Sequence, residues 1–274
     1  MYRTNRRRTT PGAAKILFGV LALTVAFSAS ASAGSKKEQP AKKTASGGGK
    51  VVVASTSWVA AIARAGGAQN VRVLAPVDLR HPPEYELRPS DLTAAGEADL
   101  IVYAGWEMFA EKLAETAGGA NVRMLKLATT NTPEALKAEA RKVAEALGTV
   151  SAFEAWAASF DPFAEDLRRR VQDAYADRRA VVQRMQTPFI QWLGFEIIGE
   201  YGPAEPSPAV ILELVQTKPP LVVDNYHGPS GFPIAEAAGA PYAELLNFPG
   251  KDGTETLEDL FRYNADLLIN AVSP

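Results

Sequence analysis

Short β-branched runs alternate with helical stretches twice over in this 274-residue chain, four runs before a long alanine-rich segment and four after it. A parallel strand needs a crossover, usually a helix, before its neighbour can lie beside it, so this alternation restricts the chain to helix-covered parallel sheets. The first set is Val51–Ala54, Val71–Ala75, Leu100–Ala104 and Val122–Leu127. Helices are expected near Trp58–Ala65, Pro89–Ala95 and Trp106–Ala117, the last closed by Gly118-Gly119. The second set is Ala180–Gln183, Glu196–Gly199, Leu221–Asp224 and Ala243–Leu246, with helices near Gln186–Leu193, Pro208–Gln216 and Pro233–Ala238. A final helix from about Thr254 to Ala271 opens on Thr254-Glu255-Thr256-Leu257-Glu258, which is rich in capping side chains. The expected class is α/β, with two lobes at 50–132 and 179–274, each a mainly parallel four-stranded sheet flanked by helices. The length is enough for two modest cores.

Residues 133–178 read as a long helical connection between the lobes. Leu136, Ala140, Val143 and Leu147 recur at helical spacing, as do Phe163, Leu167, Val171 and Tyr175. Gly148 and Asp161-Pro162 punctuate the stretch. If its last part is one helix, it spans about 25 Å at 1.5 Å per residue and acts as a stiff spine.

The first 33 residues hold Arg3, Arg6, Arg7, Arg8 and Lys15 and no acid, then an apolar run from Ile16 to Phe27 and the small residues Ser28 to Ala33. That order is the pattern of a secretory signal peptide, with Ala31-Ser32-Ala33 as the cleavage site. The apolar run is shorter than the roughly 20 residues of a spanning helix; the competing reading is an uncleaved amino-terminal anchor. Ser35 stands where a lipoprotein box would carry its cysteine, so lipidation there is excluded. Residues 34–49, rich in Lys, Ser and Gly, read as a flexible tether. The chain is therefore expected outside the cytoplasm, in the periplasm or on the outer face of the membrane.

Five of the 29 basic residues lie in that leader, which leaves 24 against 31 acids in the body. An acidic body argues against nucleic acid as a partner. Cysteine is absent, which removes disulfides, thiolate metal sites and cysteine nucleophiles. Any metal would be held by nitrogen and oxygen, and only His81 and His227 offer imidazoles.

Several stretches together resemble the metal-binding receptors of ABC transporters for zinc and manganese, the ZnuA/TroA type. They are Val51-Val52-Val53-Ala54-Ser55-Thr56-Ser57-Trp58 with Gly66-Gly67, the loop from Pro82 to Asp91, Ala98-Asp99-Leu100-Ile101-Val102-Tyr103-Ala104-Gly105, and Phe261-Arg262-Tyr263-Asn264. The resemblance implies two lobes joined by a rigid helix, a ligand clamped between them, and a membrane permease as partner. It also implies histidines at three places where this chain has Pro83, the stretch Ala128 to Thr132, and Met185-Gln186. A carboxylate expected after the seventh strand is matched by Asp224.

In open parallel sheets ligands bind beyond the carboxyl ends of the strands. His81, Glu107, Met185, Gln186, Asp224 and His227 all follow strands at that edge. The expected metal ligands are His81 and Glu107 from the first lobe and Asp224 and His227 from the second, with Tyr85 and Trp106 either lining the cleft or simply packing. Two imidazoles with one or two carboxylates suit a divalent transition metal, zinc first and then manganese or iron(II). Bland roles stand beside these: Glu107 as a first-turn helix acid, Asp224 as a turn cap, His81 as an ordinary loop residue. The expected function is a monomeric solute receptor of an importer, not an enzyme. The alternatives are a receptor for a metal chelate or small organic ligand, or a metallohydrolase built on Asp224 and His227. The chain has no HExxH or G-x-S-x-G signature for the last.

Overall fold

The computed structural model describes residues 49–77, 79 and 84–272. The leader, most of the tether and His81 lie outside the described residues. Two four-stranded sheets form, all of their pairings parallel. The first is ordered β2-β1-β3-β4, from β1 (Val51–Ala54), β2 (Asn70–Val73), β3 (Leu100–Tyr103) and β4 (Arg123–Lys126). The second repeats that order as β6-β5-β7-β8, from β5 (Arg179–Gln183), β6 (Glu196–Tyr201), β7 (Val222–Asn225) and β8 (Tyr242–Leu245). Every expected strand forms, with its ends shifted by no more than two residues.

Alternation along the strands sorts their side chains between layers. Val52 and Ala54 of β1, Leu100 and Val102 of β3, Ala180 and Val182 of β5, and Val223 of β7 join one core that runs through both lobes. Helices α1 (Ser57–Ala65), α4 (Pro133–Leu147), α5 (Val150–Ala174), α6 (Thr187–Trp192) and α9 (Leu257–Val272) contribute to it. The opposite faces pack outward. Val53 and Ile101 meet α2 (Pro89–Glu97) and α3 (Ala110–Ala120), and Val181 and Val222 meet α7 (Pro208–Gln216) and α8 (Phe232–Ala238). The shared core on one side is what makes the two lobes one compact unit.

The connection folds as two helices. Thr132 caps α4 by accepting from the Ala135 amide at 3.3 Å, Pro133 opens it, and Gly148 closes it in the left-handed region at φ 74°. α5 then runs 25 residues, about 37 Å, straight through Pro162, where the sequence suggested a break. An interior proline costs about 3 kcal/mol. Phe160, fully buried, stacks on Trp156 with ring centroids 4.7 Å apart and meets Phe261 of α9 edge-on at 5.4 Å. Burying one such side chain is worth about 1.5–3 kcal/mol, so the packing of this spine outweighs the lost backbone bond.

A second departure concerns α3. The chain from Trp106 to Phe109 stays outside the helix, and Gly118-Gly119 does not stop it; Asn121, left-handed at φ 55°, does. Among the described residues no helix is long and apolar enough to cross a membrane.

Candidate functional site

The carboxyl ends of the strands in both sheets lead into loops that meet where the lobes join. Five of those loops carry the polar groups that matter.

After β3, Glu107 is buried, with 4% of its surface exposed. One carboxylate oxygen accepts from the Ser55 hydroxyl and from the Ala104 amide at 2.9 Å, and the other accepts from the Gly105 amide at 2.5 Å. Gly105 sits at φ 90°, and a side chain there would strike Lys126, so glycine is what lets the loop turn back onto the acid. This clamp holds residues 104–107 in a turn and delays the start of α3. The acid expected as a cleft ligand thus braces its own loop.

At the end of β7, Asp224 is fully buried. It accepts from the amides of Asn225 at 2.8 Å, Ser230 at 2.9 Å and Gly231 at 2.6 Å, and from the Tyr242 hydroxyl at 2.8 Å. Strand alternation explains its direction: Asp224 lies two residues beyond Val222, whose side chain belongs to the outer core with α7 and α8. Burial, and after it the Asp224 carboxylate, pushes the Tyr242 and Tyr201 hydroxyls well above the ordinary phenol range, so both remain protonated donors. Tyr201 donates to the Val223 carbonyl at 2.9 Å, in the same corner. Like Glu107, Asp224 braces the loop that follows it.

His227, partly exposed, is held in place on three sides. Its ring stacks on Phe248 with centroids 3.6 Å apart, meets Tyr226 edge-on, and accepts at Nδ1 from the Asn247 amide at 3.3 Å. A peptide N–H can only donate, so Nδ1 is the unprotonated nitrogen in this arrangement. His227 lines a cavity of about 210 Å³ with Val77 and Leu79 from the first lobe and Tyr226, Gly250, Lys251 and Asp252 from the second. Lys251 lies over the Tyr226 ring, 4.3 Å from its centroid. Among the described residues no three His, Asp or Glu side chains are grouped as a metal site, so Glu107, Asp224 and His227 do not converge.

Amides converge instead. Asn131 follows β4, Gln186 follows β5 and Asn247 follows β8, and all three are buried. Asn131 Nδ2 donates to the Asn247 carbonyl at 2.7 Å, and its Oδ1 accepts from Trp58 Nε1 at 3.2 Å. Gln186 Nε2 donates to Asn247 Oδ1 at 2.7 Å and to the Leu245 carbonyl at 3.2 Å. Beside them Ser57 donates to the Pro249 carbonyl at 2.6 Å, and the Trp58 ring packs on Phe248 with centroids 5.6 Å apart. Gly250 lies against the backbone of Val77 so closely that a Cβ would fall 2.1 Å from the Val77 carbonyl oxygen. The Asn247-Phe248-Pro249-Gly250 turn of the second lobe is thus wedged into the first. Sequence reasoning did not assign chemistry to this turn or to Asn131. The available signal was positional, since Asn131 and Asn247 both follow the fourth strand of their lobe. Of the two aromatics expected either to line the cleft or to pack, Tyr85 packs edge-on against Phe109 and donates to Asp91 at 2.7 Å, whereas Trp106 is exposed, as is Met185.

Two lobes of identical strand order, joined by a spine helix and meeting at the carboxyl edges of their sheets, define a bilobal α/β fold. Residues 52–164 match the family model described as zinc-uptake complex component A, periplasmic. Solved structures of the same fold include the periplasmic zinc-binding protein TroA from Treponema pallidum, 19% identical, covering 83% of this chain and all of that one with a TM-score of 0.61. The laminin-binding protein of Streptococcus agalactiae, described as a bifunctional adhesin with metal-transporting activity, is 18% identical over 82% of this chain and all of its own, with a TM-score of 0.65. The solute-binding protein FpvC of Pseudomonas aeruginosa in complex with Mn2+ is 19% identical over 82% of this chain and 98% of its own, also at 0.65. No curated protein matches at the level of sequence. The resemblance to the ZnuA/TroA type holds by sequence over the first lobe and much of the spine, and by fold over the bilobal body. Each of these three is described as a binding protein.

Proposed function

We propose that the chain is an extracytoplasmic receptor of an ABC importer. It captures a divalent transition-metal ion, zinc first and manganese or iron(II) next, between its two lobes and delivers it to the membrane permease. The observation that carries this reading is the pairing of two identically ordered parallel sheets whose carboxyl edges meet, in a chain whose first lobe matches a zinc-uptake component. In this reading residues 1–33 direct export, 34–49 tether a monomeric body, and His81 and His227 supply the nitrogen ligands, the metal displacing the Asn247 amide from the Nδ1 lone pair of His227. The cavity beside His227 is walled by Val77 and Leu79, from the segment that leads toward His81 in sequence. Glu107 and Asp224 serve the site through the loops they brace. An imidazole ligates metal only when neutral, so affinity falls as the pH drops below about 6.5.

A second reading, a receptor for a metal chelate or small organic ligand, is favoured by the amides Asn131, Gln186 and Asn247 at the junction, which bring no charge to offset the desolvation of a bare cation. Calorimetric titration of the chelator-treated protein with zinc and manganese separates the two. Uptake of a single equivalent by the wild type, lost in the double variant His81→Ala/His227→Ala, is the expected result. Absence of uptake by the wild type would remove the bare-ion reading and leave the second.

A further inference from the structure

We propose that Asn131 and Asn247, backed by Gln186, act as a built-in latch that closes the lobes without bound solute, an inference that rests on the two-lobed receptor reading. The latch is one side-chain to main-chain bond across the junction, with each partner held by a further bond in its own lobe. Trp58 Nε1 donates to Asn131 Oδ1, Asn131 Nδ2 donates to the Asn247 carbonyl, and Asn247 Oδ1 accepts from Gln186 Nε2. Trp58 and Asn131 belong to the first lobe, Asn247 and Gln186 to the second.

The chemistry of the amide makes this possible. An amide carries both donors and acceptors, so two amide-bearing segments from opposite lobes satisfy each other directly. Carboxylates and unprotonated imidazole nitrogens offer only acceptors toward a shared point, and they need a cation or proton between them before they can be drawn together. Here the junction is neutral and dry: Asn131, Gln186 and Asn247 are at most 5% exposed, and Ser57, Trp58, Phe248 and Pro249 are buried around them. Opening the lobes breaks the bonds from Asn131 to the Asn247 carbonyl and from Ser57 to the Pro249 carbonyl, and this resists opening.

The symmetry of the lobes supplies an independent argument. Asn131 follows β4 and Asn247 follows β8, the fourth strand of each identically ordered sheet. Equivalent loops therefore meet at the junction, the Asn131 side chain of one donating to the main-chain carbonyl of Asn247 in the other. One acceptor of the cluster, Gln186 Oε1, stays buried without a partner; it marks the point of the latch open to a polar hydrogen.

The chain has no cysteine, so the double substitution Glu115→Cys/Glu213→Cys, at exposed positions on α3 and α7, takes a spin label in each lobe without interference. Pulsed electron–electron resonance on the chelator-treated, metal-free protein is expected to give one narrow interlobe distance that zinc or manganese leaves unchanged. Asn131→Leu in this background is expected to add a second, longer distance population. Asn131→Asp, equal in size but unable to donate to the Asn247 carbonyl, is expected to do the same and decides the matter should the leucine variant fail to fold. A broad or long distance in the metal-free protein that metal shortens would overturn the latch, as would an unchanged distance in Asn131→Asp. Metal uptake is read separately by calorimetry, so a latched protein that takes up no ion refutes the bare-ion reading and leaves the latch standing.

Discussion

The loops after the third strand of each lobe and the loops after the fourth use their polar groups in opposite ways. Glu107 follows β3 and Asp224 ends β7, equivalent places in the two sheets, and each is a buried carboxylate spent on its own loop. Asn131 follows β4 and Asn247 follows β8, and the Asn131 side chain reaches across the lobe boundary to the Asn247 main-chain carbonyl. The difference teaches that a buried charge is costly unless surrounded by donors, so it recruits nearby amide hydrogens and turns inward. A neutral amide, needing both kinds of partner, is free to find them on another lobe.

The largest effect expected from disturbing this division is at Asp224. Asp224→Ala would leave the Ser230 and Gly231 amides and the Tyr242 hydroxyl without their acceptor, and about 3 kcal/mol or more of stability is expected to be lost in urea unfolding. Glu107→Ala strips the acceptor from the Ser55 hydroxyl and from two loop amides, for a loss of about 2–3 kcal/mol by the same assay. In both variants metal stoichiometry is expected to survive wherever the protein stays folded. A fully stable Glu107→Ala protein that no longer takes up metal would make Glu107 a ligand and erase the contrast.

The smallest effect tests how firmly the fourth-strand loop of the second lobe is anchored. That loop runs into α9, whose first turn is closed by a reciprocal cap: the Asp259 amide donates to Thr256 Oγ1, and the Thr256 and Glu255 amides donate to Asp259 Oδ2, each at 3.1 Å. Partial burial raises the Asp259 pKa, but the bonds from Thr256 and Glu255 and the nearby Arg262 outweigh it and hold the carboxyl below its ordinary value. A depressed carboxylate stabilises above its unfolded-state pKa of about 3.9 and loses that contribution as the pH falls through its folded value. Asp259→Ala is therefore expected to cost about 1 kcal/mol at pH 7, with the gap from wild type closing below about pH 4. Thermal unfolding measured across that range checks both magnitude and sign.

Much of this architecture was legible before any coordinates. The β-branched runs around Val51–Ala54, Leu100–Ala104 and Ala180–Gln183 are local signals, and so is the stop at Gly148. Pro162 misled because its cost is local whereas its compensation, the contact of Phe160 with Phe261, comes from about 100 residues further along the chain. The site was harder to read. Proximity to a strand end marked Glu107, Asp224 and His227 as candidates, yet it said nothing about which way each side chain turns.

The sequence alone therefore determined the two sheets, their order of helices and the spine, because hydrophobic period and capping act over a few residues. Tertiary structure alone decided that Asp224 faces the outer core, that His227 lies flat on Phe248, and that Asn131 meets Asn247. A single step along a strand reverses the face a side chain presents, and a partner 116 residues away is chosen only when the lobes dock.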